Sequence, residues 1–405
     1  MKNESRWDAV RRDFPMHPAE VYLAGFWIST PPQSVRDAIA EFREDLDLCA
    51  GRSLMRNQSR LVQESTSALS AFLGVGLDEV AITSSATEGL TLLYGGLSLE
   101  PGSEILISEH DHYSMVSAAR KAAARTGCAI RTMRLYENGE ANTPERLIEG
   151  VRAAITTRTR VLGLTWVHSC TGVKLPVREI CRNLEQGKRE GRVPKDLLII
   201  LDATHGVGAV NARIGDLGVD LAAASCHKWL NGPRGTGFIC GRRAELERLS
   251  DVIPTYGSNT VARVMGMEIH GADNPAERLT PGGFKAFEHR WAIGPAIRYM
   301  ASLGMETIED RLTELSRYLK DGLAALPGVH VITPHQPELS AGLVCIDIDG
   351  HTAEEASVAL AARQVIALSG PYKRSHLRFS PFIYNSFEEL DRAIAAVGAI
   401  SRPRR

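Results

Sequence analysis

A lysine and an acid, each following an apolar run of strand type, are the first residues in this sequence that could act together in catalysis. Lys228 stands in SCHK, directly after DLAAA and before Trp229 and the Gly-rich NGPRGTG. Asp202 closes the apolar run of DLLIILDATHG, where an acid needs a partner to be tolerated. An acid at one strand end and a lysine at another can serve a pyridine cofactor. The acid keeps the ring nitrogen protonated and the amine bonds the aldehyde. A structural Asp-Lys ion pair is the plainer alternative.

A phosphate needs donors, and ITSSATEGL offers them. Ser84, Ser85 and Thr87 fall between a strand expected at 80–83 and a helix expected to begin near Ala86, so hydroxyls and free backbone N–H groups gather at the positive end of the helix dipole. Taken alone, the same residues read as an ordinary N-cap. Ser225 and His227, beside the lysine, could add two donors to the same phosphate. In EHDHYS, His110, His112 and Tyr113 reach the edge of the same sheet. The carboxylate between the two histidines and the absence of a matching distant cluster argue against a metal site, and none is expected.

These residues need a scaffold, and the chain supplies one by alternation. From about 78 to 241, VAITSS, EILISE, CAIRTMRL, RVLGLTWV, DLLIILDAT, DLAAAS and GTGFICG read as strands. Segments of helical period lie between them near 87–97, 113–125, 143–155 and 176–189. Apolar strands separated by helices predict a mainly parallel α/β sheet covered on both faces, with ligands at the carboxyl ends of the strands. The tail, 293–405, alternates helix and strand as a smaller α/β domain would, with GVHVIT, GLVCIDID and LRFSPF as its strands. Residues 251–291 are rich in Gly, Pro, Thr and Asn with little periodicity, which suits a functional loop or a subunit contact.

Composition narrows the partners. The chain's 405 residues carry 47 Lys plus Arg against 48 Asp plus Glu, and no dense basic run, so neither nucleic acid nor an anionic membrane is an expected partner. No apolar stretch reaches the roughly 18 residues of a membrane span. Arg11-Arg12 is followed by prolines and charge where an export signal needs an apolar core, so a cytoplasmic location is expected. The seven cysteines are scattered and form no CxxC pair, which indicates neither a disulfide framework nor a zinc site.

Six segments in order, SSATEG, EHDHYS, HSCTG, LDATHG, SCHK and RFSPFIYN, give the chain a resemblance to class V of the fold type I pyridoxal phosphate enzymes. That group includes cysteine desulfurases, kynureninases, isopenicillin N epimerase-like proteins and C-S lyases. The resemblance implies pyridoxal 5'-phosphate as cofactor and a large domain with a seven-stranded sheet at 31–292. It also implies an N-terminal substrate-side segment at 1–30 and a small C-terminal domain at 293–405. By position, Lys228 matches the lysine that bonds the cofactor and Asp202 the partner of the pyridinium nitrogen. His205 matches the residue near the phenolic oxygen. Ser85, Ala86 and Thr87, with Ser225 and His227, match the phosphate turn, and Ser169 stands where relatives carry Asn or Thr. The flat side chain over the pyridine ring is His112 by the desulfurase pattern or Tyr113 by kynureninase spacing. Arg378 matches the arginine that grips a substrate α-carboxylate, and Tyr22 and Trp27 fall where relatives bring the N-terminal segment over the substrate.

The loop IALSGPYKRSH, which precedes Arg378, lacks the mobile cysteine that desulfurases place there, so persulfide transfer is disfavoured. The expected function is β-elimination from a cysteine-derived amino acid. Aminotransferase or epimerase chemistry, or an inert pyridoxal-binding protein, are the alternatives. The resemblance further implies a homodimer with shared active sites, Thr280 and Arg290 both being candidates to reach the neighbour's phosphate.

Overall fold

Alternation along the strands, and what it buries, organises the fold seen in a computed structural model, which describes residues 2–137, 142–269 and 274–401. Numbered along the chain, β1 (Val21–Tyr22) lies in the N-terminal segment. The strands β2 (Val80–Thr83), β3 (Glu104–Ser108), β4 (Ala129–Met133), β5 (Thr159–Thr165), β6 (Leu198–Asp202), β7 (Leu221–Ser225) and β8 (Gly237–Gly241) form one sheet. The C-terminal part contributes β9 (Val329–Val331), β10 (Val344–Ile348), β11 (Val365–Ile366) and β12 (Leu377–Phe379).

In the large sheet the order is β2-β8-β7-β6-β5-β3-β4, and only β8 runs antiparallel to its neighbours. Successive side chains point to opposite faces. Leu106, Leu162, Leu201 and Ala222 therefore pack on one side with the helices Pro144–Ala154 and Val177–Arg189. Ile105, Val161, Ile200 and Leu221 pack on the other with the helices Ala86–Gly95 and Tyr113–Thr126. Both faces are covered, as the unbroken apolar strands predict. The strand order reverses between β3 and β5, which is where a sheet of this kind opens a crevice for a ligand.

The C-terminal strands form an antiparallel sheet, β12-β10-β9. It shares its core with the helices Met305–Ala324 and Phe387–Ser401. The N-terminal segment belongs to this packing too: β1 pairs with β11, and Val21 and Leu23 lie in the same core. A bridge between Ala24 and Ser380 carries the pairing on to the end of β12, next to Arg378.

One stretch differs from the expectation. Among its described residues, the segment 251–291 holds three short helices, Ser258–Met265, Pro275–Leu279 and Phe287–Trp291. Each spans at most eight residues, too few for a visible period, and they are set off by the left-handed cap Gly266 and the N-cap Asn274. The long helix Gln33–Leu73 is broken at Cys49, whose φ of -158° and ψ of 72° are not helical. No helix among the described residues is long and apolar enough to cross a membrane.

Candidate active site

The carboxyl ends of β2, β3, β5, β6 and β7 converge, each delivering one functional side chain or more. Beyond β7 the chain turns sharply through Cys226–Gly232. Gly232 N–H donates to Cys226 O (2.8 Å), Asn231 N–H donates to Lys228 O (3.1 Å), and Asn231 takes a left-handed φ of 51°. The N-terminal segment fastens this turn: Ser29 N–H donates to His227 O (2.8 Å) and Ser29 Oγ donates to Asn231 Oδ1 (2.5 Å). Lys228 is thereby held with its Nζ 3.3 Å from His205 Nε2. Burial brings the amine down to about 8; the Asp202 carboxylate opposes that shift and the Arg378 guanidinium adds to it.

Asp202 ends β6 in a buried position, one carboxylate oxygen accepting Thr204 N–H at 3.0 Å. His205 lies three residues on, in the turn that follows, and is buried; its Nδ1 accepts the indole N–H of Trp229 at 3.2 Å. Burial holds His205 well below the ordinary histidine range, and the nearby Lys228 and Arg378 push the same way.

Between β2 and the helix Ala86–Gly95, Ser85 caps the helix by accepting Glu88 N–H (3.1 Å), and Ala86 N–H donates to Ser225 Oγ (2.8 Å). Gly237, at the start of β8, closes the cup from below. A Cβ there would sit 2.8 Å from Ser85 C and 2.7 Å from Ala224 O, so only glycine lets the strand approach. Thr87 is exposed at the rim. His227 Nδ1 is buried without a hydrogen-bond partner among the described residues, and burial first, then Lys228 and Arg234, bring that imidazole down to about 4. An orphaned nitrogen beside helix-terminal N–H groups suits an anionic oxygen, so Ser85, Ala86, Ser225 and His227 fit a phosphate.

His112 caps the helix Tyr113–Thr126, its Nδ1 2.8 Å from Ser114 Oγ. Burial brings it down to about 4, with Asp202, Lys228 and Arg378 as its charged neighbours, so it is a neutral flat ring within the site. Tyr113 is 59% exposed. His110 turns into a separate group, stacked on Tyr136 at 3.9 Å. The intervening Asp111, read in sequence only as an obstacle to metal binding, ties the strand ends together. It accepts Ser108 N–H (2.7 Å) and Thr165 Oγ–H (2.7 Å), and burial raises it to about 7.

Arg378 lies on β12, buried. Its Nη1 donates to Ser169 O (3.3 Å) and Nη2 to Ser369 O (2.7 Å), while Nε has no partner. No carboxylate among the described residues pairs with it. Its guanidinium lies over Phe26 at 4.4 Å and 5.9 Å from the ring of Tyr372. Tyr372 also hydrogen-bonds Ser169 Oγ and lies 6.1 Å from the His112 ring. The sequence reading gave no site role to Phe26 or Tyr372. An aromatic in the loop that should carry a desulfurase cysteine was the available signal. Trp27 is 56% exposed, and Tyr22 spends its hydroxyl on Ile28 O (2.6 Å). Thr280 and Arg290 line a hollow of about 680 Å³ with Met55, Tyr256 and Phe284.

This arrangement of lysine, acid and phosphate cup is accompanied by a match to the class-V aminotransferase family over residues 21–393. The chain belongs to that family. It is a pyridoxal phosphate-dependent enzyme of the fold type I architecture. Among its relatives, isopenicillin N epimerase of Streptomyces clavuligerus is 28% identical, the match covering 98% of both chains. Probable cysteine desulfurase 2 of Mycobacterium leprae is 27% identical, over 96% of this chain and 95% of the relative. A solved structure of a cystine C-S lyase with its product cysteine persulfide shares the fold at a TM-score of 0.85 and 21% identity, covering 95% of this chain and 99% of that one.

Proposed function

We propose that this enzyme is a C-S lyase that performs β-elimination on a cysteine-derived α-amino acid. The observation that carries the reading is Arg378. A buried guanidinium with an unpartnered Nε and no carboxylate of its own stands beside Lys228, Asp202 and His112, and a substrate α-carboxylate fits it. Lys228 and Asp202 would hold the cofactor, with Ser85, Ala86, Thr87, Ser225 and His227 at its phosphate, His205 and Ser169 near its phenolic oxygen, and His112, rather than the exposed Tyr113, over its ring. When bound, the cofactor supplies a sink for the electron pair left at Cα by proton loss.

The chain's own residues do the rest. Lys228, brought down to about 8, keeps a usable fraction of neutral amine near neutral pH and takes the Cα proton. Arg378 fixes the carboxylate and so turns Cα toward the lysine. The Cβ–S bond then breaks, its electron pair leaving with sulfur, which is protonated to the free thiol. Addition of one water accounts for pyruvate and ammonia.

A thiol relay is disfavoured by the cysteines themselves. Cys170, Cys226 and Cys345 are buried, and burial pushes each thiol up to about 12. The loop before Arg378 contributes a phenol, Tyr372, in place of a sulfur. The substrate's sulfur therefore leaves as a small molecule.

A homodimer belongs to the same reading. Met55, Val264, Met265, Met267 and Phe284 are all more than 60% exposed, and Arg290, whose Nε is buried without a hydrogen-bond partner among the described residues, lines a hollow with Met55 and Phe284. Large exposed apolar groups around a buried cation suit a second copy bringing an anionic group, such as the cofactor phosphate.

Two measurements test the proposal. Borohydride reduction and peptide mapping should place the pyridoxyl group on Lys228. Incubation with S-substituted cysteines and cystine should release thiol or persulfide, pyruvate and ammonia in equal amounts. Conversion of the amino acid to its keto acid with sulfur retained, or inversion at Cα without release, would sink β-elimination.

A further inference from the structure

His205 has two ring nitrogens, and the fold commits them differently. Nδ1 accepts from the indole N–H of Trp229 at 3.2 Å, and an indole nitrogen can only donate. Nδ1 must therefore carry a lone pair. Burial keeps the imidazole neutral, with Lys228, Arg378, His112 and His227 around it all opposing a positive charge. A neutral imidazole has one N–H, which then sits on Nε2, 3.3 Å from Lys228 Nζ.

Trp229 has little freedom to give up this bond. It is fully buried and stacked on Phe382, with ring centroids 5.1 Å apart and planes 21° apart. Gly342, at a φ of 63°, lies against the indole so closely that a Cβ would come within 2.6 Å of its ring. Sequence and packing thus fix a donor at one side of His205, and the tautomer follows.

We propose that Trp229 is a positioning residue: its indole N–H locks His205 in the tautomer protonated at Nε2, so that His205 presents a donor to the Lys228 nitrogen. A donor there opposes the ammonium form of Lys228, which has three N–H groups and no lone pair, and favours the neutral amine that bonds the cofactor and takes a proton. The inference rests on the reading of Lys228 as the cofactor-bearing lysine, yet the tautomer itself is a property of the chain and is measured separately.

The deciding experiment is ¹⁵N NMR of histidine-labelled holoenzyme, with the His205 signals assigned by their loss in His205→Leu. In the wild type, Nδ1 should resonate as a bare nitrogen and Nε2 as a protonated one. A protonated Nδ1 would overturn the lock while leaving cofactor attachment at Lys228, established by reduction and mapping, untouched. The wild-type spectrum decides this even if Trp229→Phe does not fold. Where it folds, Trp229→Phe should move His205 toward a mixture of tautomers and shift the pH midpoint of the bound cofactor's absorbance. It should also lower kcat/KM about three- to tenfold, as expected for one lost hydrogen bond. In a His205→Leu background the same substitution should leave the midpoint where it is. An equal shift in both backgrounds would reduce Trp229 to a packing residue and overturn its role at His205.

Discussion

The guanidinium of Arg378 lies 4.4 Å from the centroid of the Phe26 ring, although the two residues come from opposite ends of the chain. The pairing of β1 with β11 and the Ala24–Ser380 bridge carry the N-terminal segment across β12 and bring Phe26 to the arginine. An aromatic face supports a cation without neutralising it. Arg378 therefore keeps its charge, and its unpartnered Nε–H, for a ligand.

From this, Arg378→Lys should raise KM for the amino acid while leaving the absorbance of the bound cofactor unchanged. A lysine has no planar fork to meet both carboxylate oxygens. Loss of one charged hydrogen bond costs roughly 1.5–3 kcal/mol, or about 10- to 150-fold in affinity. Amino acid amides should bind poorly to the wild type. Equal handling of acids and amides would remove the carboxylate from the argument.

How far the sequence led is visible at Asp202 and Tyr372. Asp202 was legible because an acid ending an apolar strand is anomalous, and the sheet, its seven strands and their covering helices were legible from the same apolar runs. Tyr372 was not, because its significance lies in long-range contacts with Ser169 and Arg378 across the two sheets, and local pattern carries no such information. The Trp229–His205 bond was equally hidden: His205 stood inside one recognised motif and Trp229 directly after another, and only the fold shows which nitrogen meets the indole.

Asp202→Asn should fold nearly as the wild type and lose turnover by roughly 10²- to 10⁴-fold, the range of a positioned acid-base group. Among the described residues the carboxylate makes one hydrogen bond, from Thr204 N–H, which an amide oxygen can also accept. On the proposed reading its main work is toward the cofactor. Steady-state kinetics beside a thermal melt would show it, and wild-type turnover in the variant would contradict the role.

The exposed apolar side chains of 261–267 and Phe284 lead to a prediction about assembly. Sedimentation at micromolar concentration should show a dimer. Met265→Asp with Phe284→Asp should shift it to monomer and weaken cofactor retention, because the 680 Å³ hollow containing Arg290 would lose its facing copy. A fully active wild-type monomer is the outcome that sinks this.

Tyr372→Phe tests the residue that occupies the loop before Arg378. The phenol binds Ser169 Oγ while Ser169 O accepts from Arg378, so on the proposed reading the pair steadies the carboxylate grip from its second side. Loss of a neutral hydrogen bond of roughly 0.5–1.5 kcal/mol should raise KM about 2- to 12-fold with kcat little altered. An unchanged KM would detach Tyr372 from the grip. A collapse of kcat would instead make the phenol a proton donor in the reaction itself.

Lys228 gives the pH dependence. With the amine brought to about 8, roughly a tenth of it is neutral at pH 7, against about 1 in 3,000 for an ordinary lysine. The rate at which apoenzyme takes up pyridoxal phosphate should therefore climb from pH 6, bend over around pH 8 and level off above it, as followed by absorbance. The same shift acts on stability with a definite sign. Below about pH 8 the folded apoenzyme carries a buried ammonium that the unfolded chain carries at no cost. Between about 8 and the ordinary 10.5 the folded state releases this proton while the unfolded state keeps it, so stability rises with pH across that window. Lys228→Met apoenzyme, free of the burden, should be the more stable protein at pH 7, and its advantage should shrink as pH rises from 8 to 10 in parallel thermal melts. An uptake rate that keeps rising tenfold per unit through pH 9.5, or a stability gap that ignores pH, would return Lys228 to the behaviour of a solvated lysine.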